Sequence, residues 1–123
     1  MNYWFLMSGG FISFLGVLIH GIIGTRIYMN DINKSNLDTL TKSLSLISWH
    51  VFTIFLFIGA VTLIIVAYNQ SLRIVAYPII IINAIGAILF VYLGLGSHKA
   101  LLKMPGAYLM ASTAIFSYLG IVL

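Results

Sequence analysis

The stretch YWFLMSGGFISFLGVLIHGII, residues 3–23, decides the fold of this chain. It contains no Asp, Glu, Lys or Arg. At about 1.5 Å of rise per residue, a helix of about 20 residues crosses the roughly 30 Å hydrocarbon core of a bilayer. Three further stretches, residues 44–67, 74–95 and 105–123, are equally free of those charges. The sequence therefore predicts four transmembrane helices.

The composition excludes an ordinary soluble domain, because 62% of the residues are hydrophobic and only 7% are charged. A membrane barrel is also excluded, since its strands alternate polar and apolar residues and these runs are continuously apolar. Short links make consecutive helices antiparallel neighbours. The predicted fold is all-α: one domain over residues 1–123, an integral membrane, antiparallel four-helix transmembrane bundle. No cysteine is present, which excludes disulfides and thiolate metal sites.

The basic residues predict the orientation of the bundle. Five of the six lie in the first and third connections, which we expect to be cytoplasmic because basic loops stay preferentially on that side: Arg26, Lys34, Lys42, Lys99 and Lys103. Only Arg73 lies in the second. Both termini then lie on the non-cytoplasmic side, in a bacterial inner membrane as the default for so compact a chain. We attribute the net charge of +4 to the basic residues that set this orientation, so we expect no nucleic-acid partner.

A row of mostly small residues along the first segment predicts how the helices pack. Gly9, Ser13, Gly16, His20 and Gly24 recur every three or four residues, so they share one helix face. Small residues let helix backbones approach closely in a membrane, and Gly94 offers the same in the third segment. The fourth segment carries small residues on two faces. This pattern predicts a homo-oligomer or a subunit of a larger membrane complex, unless four helices alone use those faces.

The first connection predicts where two helices end and begin. The first helix is expected to end near Gly24 and Arg26. Ser35 followed by Asp38 resembles a capping box, so we expect the second helix to begin there, before its membrane span at Leu44.

Three histidines form the principal candidate site. In the predicted topology His20, His50 and His98 lie near the cytoplasmic ends of three different helices, within about 10 Å in depth. Neutral imidazole binds zinc, copper and iron. His20 and His50 are thus candidate ligands of haem b, and all three are candidate ligands of a divalent transition metal. The alternative is that each histidine only hydrogen-bonds a neighbouring carbonyl or hydroxyl, or lies at headgroup level beside Trp49 as an interfacial residue.

Polar side chains inside the predicted spans form a second candidate feature. Asn83 lies near the middle of the third helix, and Thr53 and Ser117 are hydroxyls within the second and fourth. We expect Asn83 to fasten two helices through an interhelical hydrogen bond. The alternative is a polar path that Asn83 forms with Thr53, Ser112, Thr113 and Ser117. No intramembrane Asp or Glu is available to exchange protons, so only histidines remain for that role.

The function predicted from these features is a non-enzymatic integral membrane protein surrounded by lipid: a transport, channel-like or assembly subunit packed through small-residue helix faces. The alternative function is a membrane metal- or haem-binding protein using the histidines. A lipid-directed enzyme using His20, His50 and an aspartate is the least supported class, because no nucleophile motif or phosphate-binding loop is present.

Overall fold

The computed structural model describes residues 1–123 as four helices without strands, which confirms the predicted all-α class. Helix α1 spans Tyr3–Lys34, α2 Thr39–Tyr68, α3 Gln70–Leu95 and α4 Gly106–Val122. A short 3₁₀ helix, Lys99–Lys103, lies in the link between α3 and α4. By length and composition, α1, α2 and α3 are each able to cross a membrane, while α4 is a shorter apolar helix of 17 residues.

Helix α1 continues well beyond its predicted end at Gly24 to Arg26, and this prediction was wrong. Residues Ile19–Met29 are wound as a π-helix, and Asn30–Lys34 return to α-helical geometry. The hydroxyl of Thr25 donates to Gly21 O at 2.7 Å, so this polar side chain is satisfied by a carbonyl of its own helix. The chain leaves the helix at Ser35, where the backbone becomes extended. Most of the predicted first connection is therefore helical.

Helix α2 begins at Thr39, before the predicted span, but Ser35 does not cap it. The N-cap is Asp38, whose carboxylate accepts from the Thr41 backbone N–H at 3.0 Å and from the Thr41 hydroxyl. Ser35 instead donates to Ile32 O and belongs to the end of α1. The side-chain hydrogen bond from Thr41, followed by the backbone one, lowers the pKa of the exposed Asp38 carboxyl below its usual value, because both bonds favour the charged form.

The core lies where α1 packs against both α2 and α4, while α3 packs mainly against α4. Close approaches join these pairs: Gly10 of α1 lies against Ala60 and Ile64 of α2, and Gly86 of α3 lies against Met110 of α4. The largest buried apolar cluster draws on all four helices. It consists of Leu6, Leu63, Val66, Ala67, Ala76, Ile80, Ala114 and Ile121.

The two ends of the bundle have different contacts and different charge. At one end, Asn2 N donates to Gly120 O at 2.7 Å, and the Tyr3 hydroxyl donates to that of Tyr68 at 2.9 Å. At the other end, the Tyr28 hydroxyl donates to Met104 Sδ at 3.1 Å, which brings the α3–α4 link against α1. We call this second end the basic end, since it carries every Lys and Arg except Arg73.

The outward faces of the helices are apolar. Only 25 of the 123 residues are buried, and large hydrophobic side chains are exposed along every helix, for example Phe11, Phe55, Ile88 and Ile115. A soluble monomer rarely leaves so much continuous apolar surface to water. The surface is thus suited to an apolar environment.

Candidate functional site

The row of small residues predicted on α1 lies between two neighbouring helices. Gly9 lies against Ser117 of α4, so closely that a Cβ would collide with the serine hydroxyl. Ser13 Oγ donates to Leu56 O of α2 at 2.9 Å. A Cβ on Gly16 would meet Leu56 at 3.6 Å, and one on Gly24 would meet Trp49 at 2.7 Å. All four are buried, and His20 is half-buried.

Equally close approaches occur at two glycines of α1 outside the predicted row, and at Gly120 of the small-residue face predicted on the fourth helix. A Cβ on Gly21 would lie 2.8 Å from Thr53, one on Gly10 3.2 Å from Ala60 O, and one on Gly120 2.9 Å from Leu6 N. Gly94, which was singled out, is buried against Leu102 of the α3–α4 link. Gly10 and Gly21 each sit beside a residue of the predicted row, so a wider small-residue face would have found them.

His20 lies in a cluster between α1 and α2, which we call the His20 cluster: His20, Thr25, Trp49, Phe52 and Thr53. Its imidazole stacks on the Trp49 indole, with ring centroids 4.0 Å apart and planes inclined by 14°. Phe52 meets the same imidazole edge-on, with centroids 5.0 Å apart. The stack is possible because Gly24 leaves room for the indole.

Reciprocal hydrogen bonds across the His20 cluster join the two helices. Trp49 Nε1 of α2 donates to His20 O at 3.0 Å and to Thr25 Oγ1 at 3.1 Å, both on α1. In the opposite direction, His20 Nδ1 lies 2.8 Å from Thr53 Oγ1 of α2. Thr53 Oγ1 also donates to Trp49 O at 3.3 Å.

The contact with Thr53 occupies one ring nitrogen of His20. Nδ1 takes part in it as donor or as acceptor, depending on the tautomer. Nε2 is the ring nitrogen of His20 that this contact leaves free.

The three predicted metal ligands do not form a metal site together. No group of three or more His, Asp or Glu side chains is close enough to hold a metal ion. His50 is half-buried on α2, and His98 is exposed at the end of α3, where its backbone N–H donates to Leu93 O. A site built on all three histidines is therefore absent. Cofactor binding by His20 and His50 alone stays a prediction.

The two aspartates lie away from the His20 cluster. Asp38 caps α2 and is twelve residues before His50, or about 18 Å along the helix axis. Asp31 is exposed in the final turns of α1. The structure therefore does not assemble the His20, His50 and aspartate set that a lipid-directed enzyme would use.

The second candidate site is a layer of four buried polar side chains, which we call the polar layer: Ser13, Asn83, Thr113 and Ser117. These are the only buried polar side chains of the protein, and none is more than 5% exposed. Ser13 belongs to α1, Asn83 to α3, and the other two to α4. Of the predicted intramembrane polar residues, Asn83 and Ser117 are in this layer, whereas Thr53 belongs to the His20 cluster.

The helix register brings the members of the polar layer to similar levels. On α1 and α4, Leu6 lies against Gly120 and Gly9 against Ser117, so Ser13 comes level with Thr113. On α3 and α4, Phe90 lies against Gly106 and Gly86 against Met110, so Asn83 also comes level with Thr113. Ser117 lies one turn further along α4.

Helix α2 closes the polar layer through Gly59. A Cβ on this glycine would lie 3.3 Å from Ile79 of α3 and 3.6 Å from Ser13 Oγ of α1. Ile79 O in turn accepts from Asn83 Nδ2 at 2.9 Å. All four helices therefore meet around these polar groups.

Two atoms of the polar layer have no hydrogen-bond partner: Asn83 Oδ1 and Ser117 Oγ. The interhelical hydrogen bond predicted for Asn83 is absent, because its amide N–H donates within α3, to Ile79 O. The local bond leaves the amide oxygen buried and unpaired. Such a group costs free energy unless a guest satisfies it.

Several small residues of α4 lie against other helices of the same chain. Ser117 and Gly120 face α1, while Gly106 and Met110 face α3. The side chains that α4 leaves exposed are large, for example Tyr108, Ile115 and Tyr118. Association with further copies or with other subunits stays a prediction. No protein-family model matches the chain, and neither a curated protein nor a solved structure was found to be similar to it.

Proposed function

We propose that this chain is a non-enzymatic integral membrane protein of the transport class, with the polar layer as the narrowest part of a path for small solutes. The observation that carries the proposal is the pair of unpaired atoms, Asn83 Oδ1 and Ser117 Oγ, in the middle of an apolar bundle. A layer that served only to fasten helices would satisfy its own hydrogen bonds across them. Only Ser13 makes such a bond here, to Leu56 O.

The membrane setting is supported by the three long apolar helices and by the exposed apolar side chains. Four spans of alternating direction follow from the short links. The basic end faces the cytoplasm, because basic residues near spans stay on that side. Both termini then lie on the non-cytoplasmic side of a bacterial inner membrane. Lipid is the immediate partner, and association with further copies or with a larger complex is part of the proposal.

The absence of cysteine makes the topology directly testable. Single variants Ser35→Cys and Ser97→Cys place one thiol in each link at the basic end, and Ser71→Cys places one in the first turn of α3 at the opposite end. We expect a membrane-impermeant maleimide to label the first two from the cytoplasmic side and Ser71→Cys from the opposite side. Labelling of all three from one side would contradict the alternating arrangement.

Transport is tested in liposomes containing the purified protein, by stopped-flow light scattering after steps in osmolarity. The probes are water, urea and ammonium chloride. We expect at least one of them to permeate faster than in protein-free liposomes, and we expect Asn83→Leu to remove the gain. Ser112→Ala, a hydroxyl deletion on α4 outside the polar layer, is the control and should retain it. If no probe permeates faster than in protein-free liposomes, the transport proposal is wrong.

A further inference from the structure

We infer that the polar layer binds one small hydrogen-bond donor, neutral or singly positive and of the size of water or ammonium, between Asn83 Oδ1 and Ser117 Oγ. The inference rests on the proposed function, because it names the class of solute that the narrowest part of the path accepts. It starts from the two unpaired atoms of the polar layer, each on a side chain at least 95% buried.

The chemistry of the polar layer selects a donor. Asn83 Oδ1 can only accept a hydrogen bond. Ser13 has given its proton to Leu56 O, so its oxygen can only accept a further one. Ser117 Oγ can both donate and accept. Asn83 Oδ1 is therefore satisfied only by a guest that brings at least one N–H or O–H group.

The same groups exclude highly charged guests. None of the four side chains is charged, so nothing here balances an anion. A divalent cation would require carboxylate oxygens, and both aspartates lie outside the four predicted spans. Water and ammonium remain, since both donate several hydrogen bonds and neither brings more than one charge.

The packing around the polar layer limits the guest to a few atoms. A Cβ on Gly9 would collide with Ser117 Oγ, and one on Gly59 would be 3.6 Å from Ser13 Oγ. Because α1 lies this close to the Ser117 hydroxyl, a larger organic solute does not fit beside it. The unpaired atoms and the close walls thus point to the same class of guest.

A double-mutant cycle tests the site without measuring any flux. The unfolding equilibrium of the wild-type protein, Asn83→Leu, Ser117→Ala and the double variant is measured by SDS titration in mixed micelles. A shared guest couples the two positions, so each single variant should unfold roughly tenfold more readily and the double variant about as readily as the weaker single one. When Asn83→Leu is combined with the control Ser112→Ala, the two separate changes in the unfolding equilibrium constant should instead multiply.

The opposite result is equally well defined. If the site is empty, Asn83→Leu removes an unpaired buried acceptor and should stabilise the protein. Stabilisation, or multiplicative effects of Asn83→Leu and Ser117→Ala, would overturn the inference. If solutes permeate but Asn83 and Ser117 are not energetically coupled, the transport proposal holds and this inference is wrong. If the two residues are coupled but no solute permeates, the binding site exists and the transport proposal is wrong.

A second measurement uses the unaltered chain and does not depend on whether the variants fold. Solid-state NMR on protein with labelled asparagine side chains detects magnetisation transferred to the Asn83 amide from water, or from ¹⁵N-ammonium when that probe is added. Transfer from water alone identifies a hydrated site, and transfer from ammonium that displaces the water signal identifies a cation site. The absence of both transfers would overturn the inference.

Discussion

The close approach of α1 and α4 at Gly120 makes a strong prediction about stability. In Gly120→Ala the new Cβ would lie 2.9 Å from the backbone nitrogen of Leu6 and 2.6 Å from its Cγ. Ordinary contacts begin near 3.4 Å, so the helices must separate by about 0.5 Å, the difference between 3.4 and 2.9 Å. The Leu6 side chain can change its rotamer, but the Leu6 nitrogen is a backbone atom and cannot, so this contact sets the separation. Overpacking of this kind costs about 1–3 kcal/mol.

Gly16→Ala is the matched control, because its Cβ would meet Leu56 at an ordinary 3.6 Å. Both substitutions gain helix propensity, about 1 kcal/mol each at most, so the comparison largely cancels that gain. Gly16→Ala should be neutral or stabilising. Gly120→Ala should be less stable than this control by about 1–3 kcal/mol, roughly 5- to 160-fold in the unfolding equilibrium.

Reversible unfolding in dodecylmaltoside micelles, titrated with SDS and followed by far-UV circular dichroism, measures both variants under one condition. Equal stabilities, or a more stable Gly120→Ala, would refute the reasoning, since the backbone contact between α1 and α4 would then not limit their approach.

Three further predictions concern other parts of the molecule. Trp49→Phe removes the two hydrogen bonds to His20 O and Thr25 Oγ1, so it should lower the free energy of unfolding by about 1–3 kcal/mol in the same SDS titration. Trp4→Phe, at an exposed ring, is the control and should change this free energy little. Equal effects of the two substitutions would contradict the role of the His20 cluster. The hydrogen bonds from Thr41 lower the pKa of Asp38, so its contribution to the start of α2 is complete above the unfolded pKa of about 3.9 and is lost as pH falls through the lower, folded value. Amide exchange at Thr41 should therefore quicken in acid, relative to its intrinsic rate, in the wild-type protein, but not in Asp38→Asn, which keeps a capping oxygen that does not titrate. Absorption spectra and elemental analysis of protein purified under conditions that retain cofactors should show neither a Soret band nor stoichiometric metal; either signal, lost in His20→Ala or His50→Ala, would instead support the haem or metal function.

Much of the fold could be predicted from local sequence properties. Apolar runs of about 20 residues specify helices wherever they occur, because a backbone in hydrocarbon must satisfy its own hydrogen bonds. The end of α1 could not be found in this way. Residues 25–34 are polar enough to predict a loop, yet they are helical up to Lys34. Within this segment, Thr25 bonds to Gly21 O of its own helix and accepts from Trp49 of α2.

The sequence also predicted the candidate sites only in part. His20 was singled out from its place in the small-residue row, but its partners are Thr53 and Trp49 of α2 rather than the other two histidines. Depth along a helix can be counted from the sequence, whereas the direction that a side chain faces around the bundle depends on its neighbours. Three histidines at similar depth were therefore insufficient to predict a shared site.

The sequence by itself determined the helical class, the separation of the basic residues from Arg73, and the small-residue face of α1, since each depends on residue type and on spacing along the chain. Only the tertiary structure decided that Ser13, Asn83 and Thr113 lie level with one another. Their alignment depends on which glycine accepts which neighbour between α1, α3 and α4. Those contacts join residues up to 114 positions apart, as Leu6 and Gly120 are, and no local pattern contains them.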